Sequence, residues 1–439
     1  MNRIGTMAVI ALLAGAASSA HAAGPDAYGG DLNGIASFGA VGDISAYSLG
    51  PTTCNVGTAF LGTHISTADH PVIAQNLYRL HNGRFEQIGM SWAFHTLCSL
   101  QGTVCSSCTP PPGGGCNNEL GIGCSTSDSS AFAGNFQQLG PRSQVNAATG
   151  AFPFPFTAPT APATIGRRLQ VHQADLNPAT HAGASFFAEL VYVSADDAAA
   201  GNAFNNGSHR KVIVSGVGPY SLTYTGHTTQ GLPAIYEWQL ADPGVMIASV
   251  DVPGDGRFLV GSRATPVGCN RYRYEYAVFN LSSDRSMGAL EIPTAIPASA
   301  TSIGFHDVDY HSGEPYSGAD WTSSTTSCGV SWSTESFAAN PNANALRWGT
   351  LYNFSFESPF APADQNATLG LFKPGVTASM PVLVAAPGTT PAFAGDYDGS
   401  GAVGLSDVAF VISNWNNSCG TFGLSAVADV IMHWANTCP

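Results

Sequence analysis

Arg257-Phe-Leu-Val-Gly-Ser-Arg-Ala264, the break Thr-Pro-Val-Gly-Cys-Asn, and Arg271-Tyr-Arg-Tyr-Glu-Tyr-Ala-Val-Phe-Asn-Leu281 form the stretch whose reading decides the fold. Aromatic and β-branched side chains suit a pleated, half-buried surface, and Gly with Pro interrupts it, so the stretch predicts two strands joined by a turn. The pattern extends outward in both directions. KVIVSGV (211–217), SLTYTG (221–226), IYEWQL (235–240) and MIASVDV (246–252) precede it. SIGFHDVDYH (302–311), GVSWSTESF (329–337), ALRWGTLYNFSF (345–356) and ATLGLF (367–372) follow. Many short strands at this spacing predict a sandwich from Lys211 to about Pro374. Composition agrees: 10% of residues are charged and 50 are Gly, which favours short strands and tight turns over charged surface helices. The expected class is mostly β, a disulfide-stapled, sandwich-like large domain followed by a small two-helix module.

Upstream of this region, Asn76 to Gly89 (NLYRLHNGRFEQIG) predicts a hairpin turning at Asn82-Gly83, a dipeptide that readily takes positive φ. Ser91 to Leu100 predicts a short helix leading into a cysteine-rich stretch. His95, in SWAFHTLC, is expected to be packed and hydrogen-bonded. The large domain is assigned residues 23–374, with a division into two subdomains drawn near 200–210. Residues 375–394, which end in a Pro-, Thr- and Gly-rich stretch, are assigned as a linker.

Arg3, the apolar run Met7 to Ala17 and the small-residue signal Ala20-His21-Ala22 mark residues 1–22 as a signal peptide, so the mature chain is expected to begin at Ala23. Cleavage after Ala20 would instead leave His21 at the N-terminus, the arrangement that copper-dependent polysaccharide oxygenases require; the Ala-His-Ala signal favours the later cut. No run reaches the ~18 apolar residues of a membrane span. The expected location is extracellular, at the cell surface or periplasmic. Ten cysteines in an oxidising compartment predict disulfides. Cys98, Cys105, Cys108, Cys116 and Cys124 crowd one loop-rich stretch, Cys54 makes that set even, and Cys269 with Cys328 is a plausible pair. Cys105-Ser-Ser-Cys108 lacks a flanking βαβ unit and reads as a structural staple. A formal charge of −14 without a basic stripe argues against nucleic acid as a partner.

The tail contains a gapless 19-residue repeat: GAVGLSDVAFVISNWNNSC (401–419) aligns with GTFGLSAVADVIMHWANTC (420–438). Each copy carries apolar residues at helical spacing (405, 408, 411, 412, 415 and 424, 427, 430, 431, 434), which predicts two helices packed through those stripes. A core this small needs staples, and a Cys419–Cys438 disulfide and a bound ion are expected. Just before the first helix, Asp396-Tyr-Asp398-Gly-Ser400-Gly401-Ala402-Val-Gly404-Leu-Ser-Asp407 places oxygen groups at loop positions 1, 3, 5 and 12, and glycine at 6. This is the spacing calcium requires, with the Ala402 carbonyl as the position 7 ligand and water at position 9.

The segment DYDGSGAVGLSDVAFVISNW resembles a dockerin half-repeat, in which the twelfth ligand is Asp. The resemblance covers about a tenth of the chain and implies Asp396, Asp398, Ser400, Ala402 and Asp407 as calcium ligands. The positions aligned with Asp396, Asp398 and Asp407 in the second copy are Trp415, Asn417 and Ala426, so one calcium is expected and not two. In dockerins the residues before the last ligand help contact cohesin, here Leu405 and Ser406 with Leu424 and Ser425; the preferred reading is that the leucines are core and the serines start helices. A protein or cell-surface partner is expected for the tail. The large domain resembles a group of exported bacterial proteins, common in planctomycetes, through GFHDVDYHSGEP, EYAVFNLSSDRS and NANALRWGTLYNF; that resemblance implies no activity.

His306, Asp307, Asp309, His311 and Glu314 form the densest set of potential ligands in the large domain. On a strand, Asp307, Asp309 and His311 would share one face and make a second site, for a transition metal, with Glu314 arriving from the next turn. No GxSxG, HExxH or phosphate loop occurs. The sequence therefore reads as an exported binding or surface protein whose β domain carries recognition, with glycans among the ligands considered. The alternative is an exported metal-dependent enzyme acting on polysaccharide through the His306–Glu314 cluster.

Overall fold

The computed structural model describes residues 23–95, 97–113, 115–135, 139–157, 159–415 and 422–438. The signal peptide, His21, Asn417 and Cys419 lie outside them. The chain is mostly β: the described residues form one 11-stranded, two five-stranded and one two-stranded sheet, with two small helices near the C-terminal end.

The first sheet runs, in spatial order, Ala27–Val41, Ile44–Asn55, Leu169–His172, Arg84–Met90, Val72–His81, Ser185–Val193, Gly207–Ser215 and Ser221–Thr229. Its central strands alternate between two cores. Ile73, Leu77, Phe186, Ala188, Leu190 and Tyr192 face inward, where the curled sheet closes on Leu32, Tyr47, Leu49 and Leu222. Val72, Ala74, Tyr78, Phe187, Val191 and Val193 face the neighbouring sheet. Both faces being apolar explains why these strands lack a polar side. The curl brings the terminal strands together, where the Leu32 backbone N–H donates to Thr228 Oγ1 at 3.1 Å. The Asn82-Gly83 hairpin forms as predicted, with φ of 51° and 77°.

The sandwich follows. One sheet orders Met246–Asp251, Arg257–Val267, Arg271–Asn280, Thr350–Ser358 and Thr301–His306; the other orders Thr322–Thr325, Gly329–Ser333, Met287–Pro293, Phe360–Leu371 and Ser379–Pro391. Tyr274, Tyr276, Phe354 and Phe356 of the first pack on Trp332, Leu369 and Val384 of the second. The outer face of the first carries Leu259, Ala277, Phe279 and Leu351 onto the curled sheet, so the body has three layers.

Several expectations are corrected. Residues 375–394 are no linker: Ser379–Pro391 is an edge strand paired with Phe360–Leu371, and it buries Val382, Val384 and Ala386 in the sandwich core. A division at 200–210 would part Ser185–Val193 from Gly207–Ser215, which pair with each other; the sandwich begins only at Met246. IYEWQL is largely helix, Tyr236–Ala241, because its buried residues Ile235 and Trp238 recur at a spacing of three and not two. Ser91 to Leu100 holds the short strand Ala93–His95, paired on both sides, in place of a helix. His306 ends its strand, so the segment after it does not alternate.

The cysteine cluster closes as Cys54–Cys105, Cys98–Cys116 and Cys108–Cys124. Cys105 and Cys108 thus take different partners and act as staples of the loop, in keeping with its Pro- and Gly-rich sequence. Cys269 pairs with Cys438, which overturns both the Cys269–Cys328 and the Cys419–Cys438 expectations. Cys328 is disulfide-bonded as well.

Candidate functional site

The tail loop folds around its own carboxylates. Asp396 accepts from the Ser400 N–H at 2.9 Å and the Gly401 N–H at 2.9 Å; Asp398 accepts from the Ser400 N–H at 2.9 Å. Asp407 reaches back from the following helix to the Asp398 N–H at 3.1 Å and the Gly404 N–H at 2.8 Å. Gly401 takes φ of 87°, a left-handed turn that a side chain would strain, which is why position 6 is glycine. The turn also seats the chain end, since Val403 N–H donates to Asn436 O and Cys438 N–H to Gly401 O.

These bonds converge the acids. One carboxylate oxygen from each of Asp396, Asp398 and Asp407 lies within 4.8 Å of the others, and Asp396 and Asp407 are buried. Burial, together with the neighbouring carboxylates, pushes Asp396 up to about 6. Three acids held this close repel one another unless a cation sits among them. The hydroxyl of Ser400 and the carbonyl of Ala402, themselves hydrogen-bonded, add neutral oxygens to the same loop. An all-oxygen donor set of this kind could hold a hard divalent cation.

Helices Leu405–Ser413 and Leu424–Met432 follow the two copies of the repeat, and their exposures match. Val411 and Val430 are buried, while Leu405 is 75% and Leu424 77% exposed, and Ile412 is 60% and Ile431 63% exposed. The expectation that both leucines are core is therefore overturned, and Ile412 and Ile431 leave the predicted stripes. The residues that stay buried pack on the body as well as on the tail itself. Ala295, Ile296 and Phe360 join Tyr397, Val403, Phe422, Ala426 and Val430 in one core.

The second predicted cluster is not assembled as a metal site. Both ring nitrogens of His311 lie on carbonyls, Nδ1 on Ser312 at 2.8 Å and Nε2 on Arg168 at 2.7 Å, and burial pulls its pKa down to about 4. Glu314 accepts from the Arg142 and Ser143 backbone N–H groups at 2.5 and 3.1 Å. Asp307 accepts from Asn344, and burial pushes it up to about 6. Asp309 holds His172 Nε2 at 2.8 Å. Among the described residues, the tail acids are the only group of three ligand-type residues whose donor atoms come this close. His95 is buried beside His70 and Phe154 and joins no such group.

The same residues instead form one wall of a groove of about 590 Å³. Its other wall is built by Gln87 to Gly89 and by Gln170, Val171, His172 and Asp175. At the mouth, His172 bridges Asp43 (2.7 Å) and Asp309 (2.8 Å); burial lowers its pKa, but the two carboxylates outweigh this and the net shift is upward. Within the groove, His306 Nε2 is buried without a hydrogen-bond partner, and burial pulls that imidazole's pKa down. Asp43, His172 and Asp175 carry no local sequence signal, because curling of the sheet, and not spacing, brings them to the cluster. No protein-family model and no curated protein matches the chain.

Proposed function

We propose that this is an exported modular protein whose tail binds one calcium ion and attaches it to a protein partner, while the β body carries recognition. The observation that carries the reading is the convergence of Asp396, Asp398 and Asp407 in a loop that also presents Ser400 and Ala402 oxygens. The resemblance to a dockerin half-repeat supports the choice of ion. The second copy, with Ala426 aligned to Asp407, offers no equivalent acid.

The partner surface is the exposed pair Leu405 and Ile412 with Leu424 and Ile431, which the repeat presents twice. Apolar side chains this exposed and this regularly placed suit a protein interface. Export is supported by the N-terminal sequence and by the four disulfides whose two cysteines both lie among the described residues, which require an oxidising compartment. Calcium titration of the purified protein tests the reading. One site is expected, lost in Asp396→Ala; two sites or none overturn it.

A further inference from the structure

We propose that the groove between strands Arg84–Met90 and Leu169–His172 and the segment His306–Gly318 binds a saccharide, whose hydroxyls donate to Asp175, Asp307 and Asp309. The inference rests on reading the body as a recognition domain, and it names the ligand class and the place.

The lining excludes other chemistries first. Among the described residues no Lys or Arg lines the groove, and its one cationic side chain, His172, is already held between Asp43 and Asp309, so a phosphate or sulfate ligand would meet carboxylates without a free counter-charge. A metal alone finds no gathered donor set there. An organic cation would compete with cations already in place. Arg79 Nη1 sits on Asp175 Oδ1 at 3.0 Å, and His172 sits between Asp43 and Asp309.

Those pairings leave the kind of acceptor that hydroxyl groups need. Arg79, Asn344 and His172 each engage one oxygen of Asp175, Asp307 and Asp309 respectively, which fixes the carboxylate and keeps the second oxygen for another donor. Ile44, Ile88 and Val308 supply the apolar surface that the C–H face of a sugar ring requires. The volume of about 590 Å³ falls within the ~300–1,000 Å³ usual for small-ligand sites. The wall is firmly held: Trp92 Nε1 donates to Ser312 O at 3.0 Å and Gln170 Nε2 to Ser312 Oγ at 2.7 Å.

The test is calorimetric titration of the full chain with linear trisaccharides of glucose, xylose, galactose and N-acetylglucosamine, and with spermidine as a cationic control. At least one trisaccharide is expected to bind. Asp309→Asn should weaken it about ten-fold or more, the loss of one charge-assisted hydrogen bond. Gly318→Trp should block it, because Gly318 lines the groove and a side chain built there meets nothing within 4 Å that would have to move. Trisaccharide binding that both variants leave intact, preference for spermidine, or no trisaccharide binding at all overturns the proposal. Asp396→Ala, which removes the calcium site, should leave trisaccharide binding unchanged; failure of the groove and failure of the tail are thereby read separately.

Discussion

Cys269, in the turn between strands Arg257–Val267 and Arg271–Asn280, is bonded to Cys438, 169 residues further along the chain. The same turn grips the acidic loop 396–407, where Asn270 Nδ2 donates to Gly399 O at 2.9 Å. The tail is thus fixed to the body covalently, by a hydrogen bond and by a shared core around Phe360 and Phe422. A module held this way presents its exposed helix faces in one orientation relative to the groove.

Removing that bond should loosen the tail first. Cys269→Ser combined with Cys438→Ser opens a long loop, and stability is expected to fall by about 2–5 kcal/mol. Limited proteolysis checks where. Cleavage should appear first after Pro391, and an unchanged digest would mean that the shared core alone holds the tail.

The edge strand Ser379–Pro391 makes a sharper prediction about where the body ends. A chain stopped at Pro374 loses Val382, Val384 and Ala386 from the sandwich core and strips the partner from Phe360–Leu371. It is expected to aggregate, because an unpaired apolar strand edge invites pairing with other chains. A chain stopped at Gly395 should fold. Size-exclusion chromatography of the two truncations distinguishes this from a linker, for which both would be monomeric.

What the sequence revealed and what it hid follow from range. Asn82-Gly83, the paired runs around Cys269 and the acid spacing of 396–407 are local, and each formed where the residues indicated. The strand Ser379–Pro391 was hidden because its Pro and Gly content reads as linker, although an edge strand tolerates Pro where no ladder bond is needed. Leu405 and Leu424 read as core from their spacing, yet each is the first residue of its helix and stays exposed, while Val411 and Val430 further along enter the core shared with Ile296 and Phe360. The groove was half legible: His306 to Glu314 stood out as a cluster. Which nitrogens and oxygens stay free depended on Arg168, Asn344 and His172, supplied from elsewhere in the chain.

Calcium should stabilise the tail through mass action. At a free concentration 100-fold above Kd, a ligand that binds only the folded form adds about 2.7 kcal/mol. The expected outcome is a calcium-dependent rise in the temperature at which Tyr397, packed against Phe422, changes its environment. Asp407→Ala should abolish the rise; an equal rise in that variant would place the ion elsewhere.

Asp197 makes the body sensitive to pH. Its carboxylate is buried in the short helix Ala195–Ala200 and accepts from the Ala27 N–H at 3.0 Å and Asn206 Nδ2 at 2.8 Å. Burial outweighs both bonds and pushes its pKa up to about 7. In the unfolded chain an Asp titrates near ~3.9. Between these values the folded form holds the proton more tightly, so the contribution to stability is complete below about pH 4 and is lost as pH rises through about 7. Asp197→Asn supplies a neutral group of the same shape. Unfolding free energies from urea titrations between pH 4 and 8 should therefore fall less steeply in the variant than in the parent, by an amount on the order of 2–4 kcal/mol across the range. Parallel curves would show that the carboxyl stays ionised in the folded protein.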